Sequence, residues 1–297
     1  MVIAATGFFD GVHIGHQAVL AALCKQAERE KAKSTVVTFW PHPRAVLQSD
    51  AAKFRLLNSL EEKRELIMER GVDQVHVLTF TQSFSLLSTQ TFFADCLQAQ
   101  YGVTHLVVGY DHRVGHDADQ SYKHLESVAQ ETGLNLIRVG EALCDGKVVS
   151  STKIREALQA GAIEQANRWL GYSYGLHGVV VEGNRLGRTI GFPTANMRLY
   201  EPLKQLPADG VYAVEVALME RRYQGMMNIG FRPTVGHGLE RTIETHIFDF
   251  EDDIYGLPLS VHPLHRLRGE QGFGSLESLK EQLKADKDAC MRFFSQT

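Results

Sequence analysis

Val2-Ile3-Ala4-Ala5-Thr6-Gly7-Phe8-Phe9-Asp10-Gly11-Val12-His13-Ile14-Gly15-His16 decides how the first half of the chain is read. Residues 2–6 make a short strand and the amphipathic stretch 16–31 a helix, so the glycine-rich string lies where the first strand ends and the first helix begins. That junction is where an open α/β sheet binds its ligands. Gly7, Gly11 and Gly15 let the backbone turn sharply and approach phosphate oxygens. The helix N-terminus adds unpaired N–H groups and a positive dipole end. His13 and His16, three residues apart at the helix entry, can point at one bound triphosphate and stabilise charge developing on an α-phosphate as pyrophosphate leaves.

Working outward, short β-branched runs at 34–39, 74–80, 105–109 and 134–139 alternate with helical stretches at 60–70, 89–101 and 122–131. This is the texture of repeated βαβ units, and it implies an α/β fold with a parallel sheet covered by helices. Two short helical pieces, 152–160 and 163–170, close this half, giving a first domain of residues 1–171. From residue 172 to 297 the texture changes. Strands such as 177–182, 210–218 and 244–250, broken by glycine and proline, imply an antiparallel barrel or sandwich, and a helix at 276–294 ends it.

Composition narrows the function classes. Of 297 residues, 44% are hydrophobic and 22% charged, which suits one large or two modest folded domains. With 31 Lys and Arg against 35 Asp and Glu, the net charge of −4 offers no basic excess for a nucleic-acid backbone or an anionic membrane. No apolar run approaches the roughly 20 residues of a membrane span, and no secretory signal opens the chain. A cytoplasmic protein is expected. Cys24, Cys96, Cys144 and Cys290 are widely spaced, which argues against both disulfides and a zinc site.

The string ending at His16 resembles the H-x-G-H motif of nucleotidyltransferases, and more closely the G-x-F-D-G-V-H-x-G-H form of prokaryotic bifunctional riboflavin kinase/FAD synthetases. Thr38-Phe39-Trp40-Pro41-His42-Pro43, Val108-Gly109-Tyr110-Asp111-His112-Arg113-Val114-Gly115 and Ser150-Ser151-Thr152-Lys153-Ile154-Arg155 are similar to that family's further motifs, in the same order. The resemblance implies that His13, His16 and Arg155 serve adenylyl transfer, with Gly7, Phe9, Asp10, Gly11, Gly15, Asp111, Ser151 and Thr152 around the ATP. Physically, Ser151 and Thr152 cap the following helix, and Arg155 one turn in offers a planar, permanently charged fork. The chain departs from the pattern in two places: Val114 stands where relatives carry an aromatic residue, and the first strand starts almost at Met1. His42 sits in a proline-framed turn and is left out of the catalytic set.

Gly183-Asn184-Arg185-Leu186-Gly187-Arg188-Thr189-Ile190-Gly191-Phe192-Pro193-Thr194-Ala195-Asn196 is a second glycine-rich segment, and it is neither a P-loop nor a dinucleotide fingerprint. Pro193 fixes the backbone, after which Thr194 and Asn196 present oxygens on one strand face. Such hard ligands suit Mg²⁺ shared with ATP phosphates. This segment looks like the signature of riboflavin kinases, and it is followed in order by Asn228-Ile229-Gly230, Glu244-Thr245-His246 and Arg268-Gly269-Glu270. The resemblance implies a six-stranded barrel in which Gly183, Gly187, Arg188, Gly191, Thr194 and Asn196 bind ATP·Mg²⁺, Glu244 is the base, and Arg268 and Glu270 lie near the flavin. The closing helix reads as packing, through Leu276, Leu279, Leu283 and Phe293 or Phe294.

The expected function is therefore phosphorylation of riboflavin to FMN, then adenylylation of FMN to FAD, with Mg²⁺ and ATP at both steps. The alternatives are a flavin-binding regulatory protein without turnover, or a kinase joined to a nucleotidyltransferase of another substrate. Oligomeric state is left open.

Overall fold

Strand β1 (Val2–Thr6) holds the centre of a five-stranded parallel sheet because both its faces and both its edges are covered. Ala4 packs on one side with Val37, Phe39, Phe92, Phe93 and Leu106, whereas Ile3 and Ala5 pack on the other with Leu20, Leu23 and Ile67. That alternation is the two-residue period of a strand serving two cores. In a computed structural model, which describes residues 1–47, 54–110, 112–183, 186–234 and 238–296, the sheet order is β3-β2-β1-β4-β5. Here β2 is Lys33–Trp40, β3 Gln74–Thr79, β4 Val103–Val108 and β5 Asn135–Arg138. The order reverses between β1 and β4, and the crevice at such a switch point is where this architecture takes ligands. Helices α1 (Ile14–Arg29), α2 (Pro43–Leu47), α3 (Leu60–Met68) and α5 (Tyr122–Thr132) accompany the strands.

Two features of this unit differ from the periodicity. The helix expected over 89–101 is a short α4 (Thr89–Thr91) running into a π-helical stretch, Phe92–Ala99. Its wider turn lets the adjacent Phe92 and Phe93, and also Leu97, all reach the core. A small hairpin, β6 (Leu143–Cys144) and β7 (Lys147–Val148), turns at Asp145-Gly146, both at positive φ as a two-residue hairpin turn requires.

The second half is a closed six-stranded barrel in the order β10-β11-β12-β9-β8-β13. Its strands are β8 (Leu176–Val181), β9 (Ala195–Leu199), β10 (Gly210–Leu218), β11 (Arg221–Thr234), β12 (Gly238–Ile247) and β13 (Pro258–Arg268), and every pair is antiparallel. A short helix α8 (Leu186–Thr189) lies in the loop before β9, and α9 (Leu276–Gln296) closes the chain. On the barrel's outer face Val211, Ala213 and Met226 pack with Leu283, Cys290 and Phe293 of α9. Burial raises the Cys290 thiol to about 12. Leu276, expected to pack, is instead about half exposed. Among the described residues no helix is long and apolar enough to cross a membrane.

Packing divides the chain at Ser151/Thr152. Helices α6 (Ser151–Gln159) and α7 (Ile163–Leu170) therefore fall almost wholly in the barrel unit, although the texture of the sequence changes only near 171. Ile163, Ala166 and Leu170 are fully buried, the Asn167 side chain donates to the Pro263 carbonyl, and the Ala208 N–H donates to the Leu158 carbonyl. A fragment beginning at Thr152 should fold cooperatively. One beginning at Tyr172 should lose about 3 kcal/mol, since Ile163 and Leu170 alone contribute roughly 1.5–3 kcal/mol each. Its melting temperature, followed by circular dichroism, should then fall by about 10 °C. Equal melting temperatures would show that α6 and α7 contribute nothing to the barrel.

Candidate active sites at the sheet switch point and on the barrel wall

The loop after β1 is held in an uncommon conformation. Phe9, Gly11 and Val12 have φ of 49°, 86° and 36°, and for a β-branched valine this is a strained backbone of the kind found at functional sites. Three hydrogen bonds to Asp10 hold it. The buried Asp10 carboxylate accepts the Leu57 and Asn58 N–H groups at 3.0 and 3.3 Å, and the Asp10 carbonyl accepts the Ser151 hydroxyl at 2.8 Å. Asp10 thus braces the loop, a role its place in the motif did not reveal.

His13 is the N-cap of α1, its Nδ1 accepting the His16 N–H at 3.4 Å. An imidazole accepting at Nδ1 carries its proton on Nε2 when neutral. The two rings stack with centroids 3.7 Å apart, and Phe9 meets His16 edge-on at 5.2 Å. Gly15 permits this stack, because a Cβ there would stand 3.1 Å from the His13 ring. His16 Nδ1 is enclosed and has no partner among the described residues. Burial, with His13 and Lys63 nearby, holds the His16 imidazole well below the usual histidine range.

Lys63 was not visible in the sequence. It is 4% exposed, and its ammonium donates to the Phe8 and Phe39 carbonyls at 3.2 and 3.3 Å, joining the ends of β1 and β2. Burial lowers it to about 8, against the opposing pull of Asp10. Beside it, Phe8, Phe39, Phe80, Phe84 and Val114 line an aromatic cavity of about 310 Å³. Val114 forms part of this wall. Thr89 fixes its loop, donating its hydroxyl to the Val114 carbonyl at 2.9 Å and its N–H to the Asp117 carboxylate at 2.7 Å. His42 packs against Phe8 and Phe54 and accepts the Arg44 N–H. Gly7 lies under the Phe9 ring. Thr152 and Arg155 lie in α6 and belong to the barrel unit, whereas Asp111 lies outside the described residues.

On the barrel, one row of paired residues crosses five strands: Arg268 opposite Val211, Val211 opposite Asn228, Asn228 opposite Glu244, and Glu244 opposite Asn196. Directly opposed residues project to the same face. All five line a cavity of about 330 Å³ walled also by Phe273, Leu279 and Leu283, so α9 does more than pack. Thr194 Oγ1 donates to Glu244 Oε2 at 3.3 Å. Thr194 also borders a second cavity of about 70 Å³ with Arg188, Phe250, Asp253 and Tyr255. Gly183 makes room for Asn196, whose amide nitrogen would lie 2.2 Å from a Cβ. Gly187 lines the larger cavity, and Gly191 turns the loop at φ 86°. The Glu270 Oε1 accepts the Phe231 N–H, and Arg268 pairs with Asp286 rather than with Glu270. Asn228, quoted above in a motif without an assigned role, lines the cavity, and Asp286, outside the motifs, holds Arg268.

Among the described residues no cluster of three His, Cys, Asp or Glu could cage a metal. Thr194, Asn196 and Glu244 instead supply hard oxygens at one edge of the cavity, the set that suits Mg²⁺ carried mainly by phosphates and water.

A family model described as FAD synthetase matches residues 1–153, and one described as riboflavin kinase matches residues 170–294. Proteins named bifunctional riboflavin kinase/FMN adenylyltransferase are 37% identical in Listeria monocytogenes, 38% in Escherichia coli and 36% in Bacillus subtilis. Each alignment covers 98–99% of this chain and 92% of the relative. The chain belongs to the bifunctional riboflavin kinase/FMN adenylyltransferase family. A solved structure described as a macrolide-efflux protein from Streptococcus pneumoniae has the same fold, with TM-score 0.88 at 33% identity over 97% of this chain and 93% of that one. In this family member the adenylyltransferase match ends two residues into the barrel unit, and the stretch 154–169 falls between the two family models.

The buried histidines make stability depend on pH. His16 is held low by burial and positive neighbours, and burial takes His112 down to about 4. Below about pH 6.5 the unfolded chain binds protons that the folded chain refuses, so stability falls as pH drops, by about 1.4 kcal/mol per pH unit for each such histidine. Urea unfolding of the N-terminal unit between pH 7.5 and 5 should show this slope, and His16→Gln should flatten it. An unchanged slope would place His16 in water.

Proposed function

We propose that each unit carries one step of flavin-cofactor synthesis, with the residue roles set out here. The barrel phosphorylates riboflavin to FMN, and the N-terminal unit transfers AMP from a second ATP to FMN, giving FAD and pyrophosphate. The observation that carries this reading is the Asn196–Glu244–Asn228 row beside two cavities that share Thr194.

In the kinase step the larger cavity takes the flavin and the smaller one the nucleotide base, so that the phosphates pass Thr194. Glu244, steadied by the Thr194 hydroxyl, accepts the proton of the ribityl 5′-hydroxyl as its oxygen bonds to the γ-phosphorus. The bond from the γ-phosphorus to the bridging oxygen breaks, and ADP leaves. Arg188 with Gly183, Gly187 and Gly191 faces the phosphates, and Glu270 and Arg268 lie toward the flavin. Thr194 and Asn196 would hold Mg²⁺, which supplies charge neutralisation on the transferring phosphates.

In the adenylylation step an FMN phosphate oxygen attacks the α-phosphorus in line, and the bond to the pyrophosphate oxygen breaks. No protein nucleophile is needed, because positioning and charge stabilisation suffice. His13 and His16 donate toward the developing charge, and the helix N-terminus adds its N–H groups. Ser151, whose hydroxyl donates to the Asp10 carbonyl, serves the same triphosphate. The aromatic cavity beside Phe8 and Lys63 is suited to the flat, apolar isoalloxazine, where ring stacking gives affinity.

Incubation of the protein with riboflavin and ATP, resolved by chromatography, should show FMN before FAD, and chelation of Mg²⁺ should stop both steps. Bound flavin with no ATP consumed would mark a binder without turnover. His16→Ala should lower adenylylation by about 10²–10³-fold and leave riboflavin phosphorylation nearly unchanged. Glu244→Gln should lower FMN formation by roughly 10²–10⁴-fold while FAD still forms from supplied FMN. A mixture of the two variants should make FAD from riboflavin. If Glu244→Gln cannot use supplied FMN, adenylylation does not belong to the N-terminal unit.

A further inference from the structure

The closing helix carries a buried charge that serves no packing purpose of its own. Asp286, on α9, has a side chain only 4% exposed, in a helix whose neighbouring inward residues are Leu283 and Cys290. A carboxylate so placed must be paired. Its partner is Arg268 at the end of β13: Nε donates to Oδ1 at 2.9 Å and Nη2 to Oδ2 at 2.7 Å, the forked geometry of a bidentate pair. Gln282, one turn earlier on α9, donates its amide to the same Oδ1 at 2.8 Å and so fixes the carboxylate from the other side. The Gly269 carbonyl takes a third guanidinium N–H. Two of the five N–H groups of Arg268 therefore have no acceptor among the described residues, and Arg268 borders the 330 Å³ cavity.

We propose that Asp286 and Gln282 are positioning residues of the kinase site, holding Arg268 so that its remaining donors meet the end of the flavin ring farthest from the reacting hydroxyl. This rests on the assignment of that cavity to riboflavin. The placement follows from the register and the cavity. Arg268 and Glu244 are three strands apart in one row, and both line the 330 Å³ cavity. A ribityl hydroxyl at Glu244 thus places the polar, hydrogen-bond-accepting end of the isoalloxazine toward Arg268, with Leu279, Leu283 and Phe273 around the ring. An interaction so far from the γ-phosphorus is made equally in ground and transition states. Losing it changes substrate binding and leaves the chemical step alone.

The experiment uses the full-length protein, with adenylylation of supplied FMN as an internal reference. Asp286→Asn should raise the KM for riboflavin by about tenfold with kcat within about twofold, because one charge-assisted fork is lost. Asp286→Glu should recover part of the loss. A fall in kcat with unchanged KM, or no change in either, overturns the proposal. Should Asp286→Asn lower the melting temperature of the barrel below the assay range, Gln282→Ala decides the matter. It keeps the ion pair but frees the carboxylate, and should raise KM by about threefold; an unchanged KM there overturns the proposal too. Glu244→Gln separates the two levels. If that variant still phosphorylates riboflavin, the cavity itself is misassigned; if it does not, while Asp286→Asn leaves KM alone, only the positioning role fails.

Discussion

In a closed barrel, strand register is a global quantity: no strand slips without carrying every other with it. The kinase site depends on that constraint. Arg268, Asn228, Glu244 and Asn196 come from four strands, and the segments between them hold up to tens of residues, yet one row of ladder pairing sets them side by side. The side chains need no further device to face one another. Gly183 and Thr194 then refine the positions of Asn196 and Glu244.

The N-terminal unit solves the same problem differently. Its histidines lie on one continuous loop, so the chain itself brings them near, and what must be supplied is restraint. Asp10, buried and satisfied by backbone donors, and Lys63, which bridges two strand ends, hold the loop in its left-handed turns. His13 doubles as a helix cap, a task usually left to Ser, Thr, Asp or Asn. One ring thereby fixes the start of α1 and stacks on the other ring that would meet the triphosphate.

What the sequence made legible was local. The strand–glycine–histidine string and the FPTAN segment each carry their meaning within about fifteen residues, the βαβ texture repeats along the first half, and the structure has the parallel sheet and the barrel that this reading implies. Lys63 sits in Glu61-Glu62-Lys63-Arg64, a run that looks like a solvated helix face; its burial is decided by the sheet beneath it. Asp286 hides in the same way within Lys284-Ala285-Asp286-Lys287-Asp288. Asn228 stood in a quoted motif, but its place beside Glu244 comes from cross-strand pairing, which no single segment encodes. The Asp145-Gly146 hairpin was different, since its turn signal was present in the sequence. The widening of the helix at Phe92–Ala99 was not, because Phe92, Phe93 and Leu97 also fit one face of an ordinary α-helix.

Closure has a consequence beyond the active site. The barrel closes on itself, although β12 meets β9 at Glu244 and Thr245 alone, whereas the parallel sheet ends at β3 and β5, both only half-buried and each paired on one side alone. Open edges are templates for pairing with other chains. Association between partly opened molecules under heat or during synthesis should therefore be seeded by the N-terminal unit. The barrel, in which every strand has a neighbour on both sides, would be carried along as a passenger.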